Sequence, residues 1–410
     1  MLSDRLPSNF GTTLLGRLDE IAGCSEQGSG VTRLPFTPQH RSANRHIEHW
    51  MTRAGLQVRL DGAGTLVGRR PDPDDGPTLL IGSHQDSIRH GGRYDGILGI
   101  ALPVLVLETL SDASLPFSVE VLAFADEEGV RFPTALMGPR ALAGTLDSAC
   151  LNYTDYDGLS LGDALRAFGG NPDEIAQLRR EAAGLLGYLE VHIEQGPVLE
   201  ANGLPVGVVS GICGIERWRV VLTGESAHAG TTPMHLRRDA LTGAAEVSLG
   251  LEALCRETEN LVGVVGSLAI SPNVVNAIPA TAELTIELRA LNDGDRNAAA
   301  VRMEEKVKRI AQARGLSHEI QKTYAQKAVA CDSRLGNCLS DTIANLGLEP
   351  MALMSGATHD ASAMYDLCPV AMLFVRCKRG ISHHHGEAIS AGDAQVAGAV
   401  VCRLLENWEV

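Results

Sequence analysis

The sequence predicts an α/β fold built on a mixed, mainly parallel sheet flanked by helices, with a smaller α+β unit inserted. Three observations carry this. Short apolar runs at Leu79 to Gly82 and Val119 to Ala125 are separated by a longer helical stretch from Ile97 to Leu110, the alternation expected of βαβ units. Polar, chemistry-bearing residues follow directly on those runs, His84 after the first and Asp126-Glu127-Glu128 after the second. Open α/β sheets place their ligands at the carboxyl ends of strands. The third observation is a change of pattern near Gly211 and a return to apolar strand at VAMLFV (Val370 to Val375).

Taken in order, Ser160 to Gly184 reads as helical and charged, and Tyr188 to Ile193 as a strand broken by Gln195-Gly196-Pro197. The inserted unit begins with strand-like WRVVLTG (Trp218 to Gly224) and a helix from about Arg238 to Glu257. Strands around Val262 to Ile270 and Ala282 to Arg289 and a helix from Arg296 to Arg314 complete a ββαββα-like set. The boundaries expected are 1–211 with 326–410 for the larger domain and 212–325 for the smaller. PDPDDGP (Pro71 to Pro77) reads as a surface turn.

Composition narrows the function. The 410 residues carry 50 acidic against 35 basic side chains, a formal net charge of −15, which argues against a nucleic-acid or anionic-membrane partner. Nine cysteines without a CxxC pair suit reduced thiols better than a disulfide framework. No apolar run reaches membrane-spanning length, and the N-terminus does not read as a signal peptide. A cytoplasmic protein is expected.

Five residues could ligate metal: His84 in IGSHQDS, Asp95 in GGRYDGILG, Glu128 in FADEEGVRF, His192 in LEVHIEQGP and His383 in GISHHHGE. Alternation along an extended segment puts His84 and Asp86 on one side, where the carboxylate could accept a hydrogen bond from the imidazole; a hydrogen-bonded core histidine is the alternative. Asp95 offers two oxygens and could bridge two cations, or serve as a helix N-cap. Adjacent Glu127 and Glu128 repel unless a cation or a raised pKa relieves them, and such a pair can divide the work between ligand and general base. A solvated acidic turn is the other reading. The His383-His384-His385 triplet reads as one ligand and two neighbours. Arg289, ending the apolar strand TAELTIELR, is shaped for bidentate carboxylate binding or for a surface ion pair.

Together with VTRLPFTPQHR (Val31 to Arg41), SAHAGTTPM, PNVVNAIPA and SGATHDA, these motifs closely resemble the amidase, hydantoinase and carbamoylase branch of the M20 metallopeptidase-like family. Its members include N-carbamoyl-L-amino acid hydrolases, β-ureidopropionases and allantoate amidohydrolases. The resemblance covers nearly the whole chain. It implies two divalent cations per subunit (zinc, manganese, cobalt or nickel), one held by His84 and His192, the other by Glu128 and His383, with Asp95 as the bridge. It makes Glu127 the general base and Asp86 the orienting partner of His84. The smaller domain becomes a lid and dimerisation domain. There His228 would reach the partner subunit's active site to bind the developing oxyanion, and Asn276 and Arg289 would hold the carboxylate of a small substrate. Gln195 is a further substrate contact or a turn-capping amide. The reaction implied is hydrolysis of an N-carbamoyl amino acid or related ureido acid; alternatives are an N-acyl amino acid deacylase, an aminopeptidase, or a metal-binding protein without catalysis. Arg376 departs from the family pattern, and Arg376 or Arg379 would add positive charge for a second anionic group on the substrate, against the plainer reading of a solvated basic loop.

Overall fold

The structure, a computed structural model, describes residues 5–71 and 76–408; the turn expected at Pro71 to Pro77 lies mostly outside them. The chain forms two compact units, Met1–Ser210 with Cys331–Val410, and Gly211–Ala330.

In chain order the first unit supplies β1 (Gln57–Leu60), β2 (Leu66–Arg70), β3 (Thr78–His84), β4 (Ser118–Phe124), β5 (Leu185–Ile193) and β6 (Val206–Ile212). The inserted unit contributes β7 (Gly214–Thr223), β8 (Leu261–Ser271), β9 (Thr281–Ala290) and β10 (Ser317–Gln326), and the returning chain adds β11 (Val329–Ala330), β12 (Ala352–Ser355) and β13 (Val370–Val375). The large sheet runs β1-β2-β4-β3-β5-β13-β6-β11, with β12 also on β6. Its centre, β4-β3-β5-β13, is parallel, and antiparallel strands flank it. Every residue of β3, β4 and β13 is buried, which explains apolar runs without alternation: a parallel sheet is covered on both faces. Each large apolar side chain so buried contributes about 1.5–3 kcal/mol.

Helix Leu98–Thr109 is buried at every position from Leu98 to Leu107, so it too shows an unbroken apolar run rather than a stripe. The helices Phe10–Ala22 and Ala391–Glu406 pack on one another closely enough that a Cβ at Gly11 would lie 1.9 Å from the carbonyl oxygen of Ala391. Among the described residues no helix is long and apolar enough to cross a membrane, and all nine cysteines are free thiols.

The inserted unit is an antiparallel sheet ordered β10-β7-β9-β8, covered by helices Ala240–Glu257 and Asp293–Ala313, whose Val247, Leu251, Met303 and Val307 join Val220, Leu222, Leu284 and Ile286 in one core. Its element order is βαββαβ, which corrects the ββαββα-like expectation. The unexpected strand, β10, reads SHEIQKTYAQ and is exposed at most positions, so it carries no apolar periodicity.

Arg376 is also corrected. Its guanidinium grips Asp393 through two hydrogen bonds, Nη2 to Oδ1 at 2.6 Å and Nε to Oδ2 at 3.1 Å, while Ser390 caps the helix beginning at Ala391 and donates its hydroxyl to the same carboxylate. Arg376 is thus committed to a buried carboxylate rather than free for a substrate anion. Arg376→Ala leaves Asp393 without its guanidinium partner and should destabilise the fold by about 1–3 kcal/mol, measured by thermal unfolding, with mono- and dicarboxylate substrates affected alike.

Candidate metal centre

The strand ends of the parallel core deliver functional side chains to one place. His84 is the last residue of β3 and pairs in register with Phe124, the last of β4; His192 sits one residue before the end of β5, opposite Phe374 of β13. The chain leaving β4 turns through Asp126, at φ +58°, into Glu127 and Glu128.

The carboxylate of Asp95 lies at the centre. Its Oδ1 is 3.1 Å from His192 Nε2 and 3.5 Å from His84 Nε2, and its Oδ2 is 3.4 Å from His383 Nε2. His383 Nε2 is in turn 3.8 Å from a Glu128 oxygen. Potential ligand atoms of His84, Asp95 and His192, of His84, Glu127 and Glu128, and of Asp95, Glu128 and His383 all lie within 4.8 Å of one another in each group. The structure therefore brings together all five sequence-predicted ligands.

This donor set fits divalent cations. Ligands held at about 2.0–2.2 Å in a tetrahedral arrangement are separated by roughly 3.3–3.6 Å, close to the spacings around Asp95. The tautomers agree: His84 Nδ1 meets the carbonyl oxygen of Asp86 at 3.0 Å and His192 Nδ1 that of Ile193 at 2.9 Å, so each Nδ1 carries the hydrogen and each Nε2 is left as an acceptor, that of His192 taking the Gly96 N–H at 3.2 Å. Electrostatics lead to the same conclusion. Burial, reinforced by Asp360, Asp86 and Asp95 and opposed by His84, pushes Glu127 well above the usual carboxylate range. Burial with Asp95 and Glu127 does the same to Glu128. For His84, burial alone would lower the pKa, but Asp95, Glu127 and Asp86 raise it well above the ordinary value. A cation bound here would take the place of the protons that this crowded site otherwise holds.

The expected role of Asp86 needs revision. Its carboxylate is 3.8 Å from His84 Nδ1, which pairs with the Asp86 backbone instead. The Asp86 oxygens accept the backbone N–H groups of Glu127 and Glu128, each at 3.2 Å. Asp86 thereby fixes the acidic turn. Gln195, at φ +56°, donates its amide to Asp95 Oδ2 at 2.9 Å and Ser382 Oγ at 3.0 Å, leaving its buried Oε1 without a partner among the described residues.

Several supporting residues escaped the sequence reading. Glu387 accepts the backbone N–H of Tyr94 at 2.8 Å and of Asp95 at 3.1 Å, pinning the Asp95 turn to the segment that carries His383; burial pushes its carboxyl up to about 7. Buried Arg33 donates to the Gln85 carbonyl at 2.6 Å. The ring of His359 meets that of His192 edge-on, centroids 4.5 Å apart, and Glu190 accepts from Ser83 Oγ and Ala361 N–H. Their signal lay inside the quoted motifs GISHHHGE, VTRLPF, SGATHDA and LEVHI.

The inserted unit holds the other predicted residues. His228 and Asn276 lie on paired segments, His228 bridging Ala277 and Ala229 N–H donating to Asn276 O at 2.9 Å. Arg289, on β9, donates Nε to Glu287 at 2.8 Å, an ion pair of the kind its alternative reading described. His384 and His385 are exposed.

Gly96 has φ +67°, and a Cβ there would lie 2.4–2.5 Å from three atoms of the His84 ring. Gly96→Ala should therefore displace His84 and deplete bound cation, read by elemental analysis of the purified protein; full cation content would contradict this placement. Glu387→Gln should weaken cation affinity about 10- to 100-fold, the scale for groups that orient ligands, in a chelator competition titration.

The chain matches the model of peptidase family M20/M25/M40 over residues 77–407. It is 39% identical over 374 residues to an N-carbamoyl-L-amino-acid amidohydrolase of Pseudomonas sp. (strain NS671), covering 90% of each chain. To an allantoate deiminase of Arabidopsis thaliana it is 36% identical over 427 residues, 96% of this chain and 81% of that one. Its structure aligns with a crystal structure of an amidase of the hydantoinase/carbamoylase family from Burkholderia multivorans at a TM-score of 0.91 and 30% identity, covering 98% of this chain and 100% of that one.

Proposed function

This chain belongs to the M20/M25/M40 peptidase family, a family of metal-dependent hydrolases, and we propose that it cleaves the linear C–N bond of an N-carbamoyl amino acid or a related ureido acid. The reading is carried by the Asp95 carboxylate, which turns one oxygen toward His84 and His192 and the other toward His383, with Glu127 beside it. It is supported by relatives whose names specify N-carbamoyl-L-amino-acid and allantoate substrates.

His84, His192 and Asp95 would hold one divalent cation, and Glu128, His383 and Asp95 a second. Such cations supply Lewis acidity, polarising a carbonyl and acidifying water. Glu127 is the general base: it takes the proton of the attacking water and returns it to the departing nitrogen. Asp86 keeps Glu127 and Glu128 in register by holding both of their backbone N–H groups. The Oε1 of Gln195, without a partner among the described residues, would accept a hydrogen bond from a ureido N–H. Arg289 and Asn276 would bind the substrate carboxylate, Arg289 exchanging Glu287 for it, and His228 would donate to the oxyanion.

A homodimer with His228 acting across subunits completes the proposal. It is supported by β8, which lies at the edge of its sheet and exposes Val262, Val264 and Leu268, 45–54% accessible; an edge of this kind invites pairing with another strand.

Glu127→Gln should lower kcat by about 10²–10⁴-fold on a ureido substrate while cation content stays at the wild-type level; near-normal turnover would remove Glu127 from this role. Chelation should abolish ammonia release from N-carbamoyl amino acids or allantoate. Turnover confined to N-acyl amino acids or dipeptides would move the protein to a deacylase or peptidase. Val264→Lys should shift the protein from dimer to monomer in sedimentation velocity.

A further inference from the structure

A cavity of about 320 Å³ lies outside the metal centre, lined by Arg41, Asn44, Arg45, Arg59, Leu60 and Phe168 among others. Its size is at the lower end for a small-molecule site. Its apolar lining residues are Val58, Leu60, Leu66 and Phe168, the last two buried, and three arginines line it with a single acid, Glu48. The helix Pro38–Arg53 brings Arg41 and Arg45 onto one side by their four-residue spacing, a repulsive arrangement for like charges. In a chain of net charge −15 acidic partners abound, yet among the described residues neither Arg45 nor Arg59 forms an ion pair.

Arg41 is held in advance. It stacks over the Phe168 ring at 4.8 Å and donates to the Ala167 carbonyl at 2.8 Å, and Phe168 is itself wedged against His40 and Phe36. Asn44, only 8% exposed, faces the same cavity. Its Oδ1 accepts from Gln85, and its amide nitrogen has no hydrogen-bond partner among the described residues.

We propose that this cavity is a second, non-catalytic binding site for a small organic carboxylate with a flat apolar body. The guanidinium forks of Arg45 and Arg59 take the carboxylate oxygens, the Asn44 amide donates a further hydrogen bond, and the apolar body lies against the partly exposed Val58 and Leu60. Arg289, in the inserted unit, belongs to the other proposed carboxylate site, so the two are separable by mutation.

The test is ligand-observed NMR of benzoate with the cation-loaded full-length protein. Benzoate should show saturable binding that is weakened at least tenfold in Arg45→Gln/Arg59→Gln and kept in Arg289→Gln, with turnover of the double variant unchanged. Benzamide, the neutral isostere, and inorganic phosphate, which lacks the apolar body, should each bind at least tenfold more weakly. Arg41 is left in place because it braces Phe168. Absence of benzoate binding, binding indifferent to Arg45 and Arg59, loss of binding in Arg289→Gln alone, or equal binding of benzamide or phosphate would each overturn the proposal.

Discussion

The carboxylate of Asp95 is the constraint on which the rest of the site depends. It stands, nearly inaccessible, between two imidazoles on one side and a third imidazole with Glu128 on the other. Burying several carboxylates within a few ångströms is unfavourable unless positive charge accompanies them. Here that charge comes from protonated histidines or from divalent cations, and the spacing of the donor atoms suits the cations. The opposite directions of the shifts follow. Burial pushes Glu127 and Glu128 up, whereas at Asp95 burial is outweighed by the neighbouring His192 and His84, which hold it well below the usual range.

A carboxylate shared between two groups of donor atoms keeps its place only if both its flanks are fixed, and the fold fixes them through backbone hydrogen bonds. Parallel pairing sets His84 and His192 at neighbouring strand ends. Glu387 holds the backbone of Tyr94 and Asp95, Asp86 holds that of Glu127 and Glu128, and Arg33 holds the Gln85 carbonyl. Each of these clamps is a buried charged group spent on a loop rather than on a neighbouring side chain. They explain how residues on connections between strands can be as well placed as residues on the strands.

The parallel core was legible because its strands are buried on both faces: Thr78–His84 and Ser118–Phe124 are apolar runs with a functional group directly behind them. Helix Leu98–Thr109 stood out for the same reason. β10 was not legible, since it is a polar edge strand without apolar periodicity. At the site, residue types and their contexts marked candidate ligands but left plainer alternatives open for His84, Asp95 and the Glu127-Glu128 pair, and the full set followed from the resemblance of the motifs to the M20 family. The partner of Asp86 was not. An HxD spacing says that two groups share a side of a strand, but it does not say whether the imidazole will choose the carboxylate or the nearer backbone carbonyl. Arg376 illustrates the converse: its position near a predicted ligand suggested substrate charge, while its partner Asp393 lies 17 residues away and is visible only once the helix at Ala391 is placed.

The most direct measurement is anomalous diffraction from crystals of zinc-reconstituted protein, recorded on both sides of the zinc absorption edge. The account predicts two peaks per subunit, one between His84 and His192 and one between Glu128 and His383, with the Asp95 carboxylate between them. A single peak, or peaks that do not touch Asp95, would contradict a bridged two-cation centre.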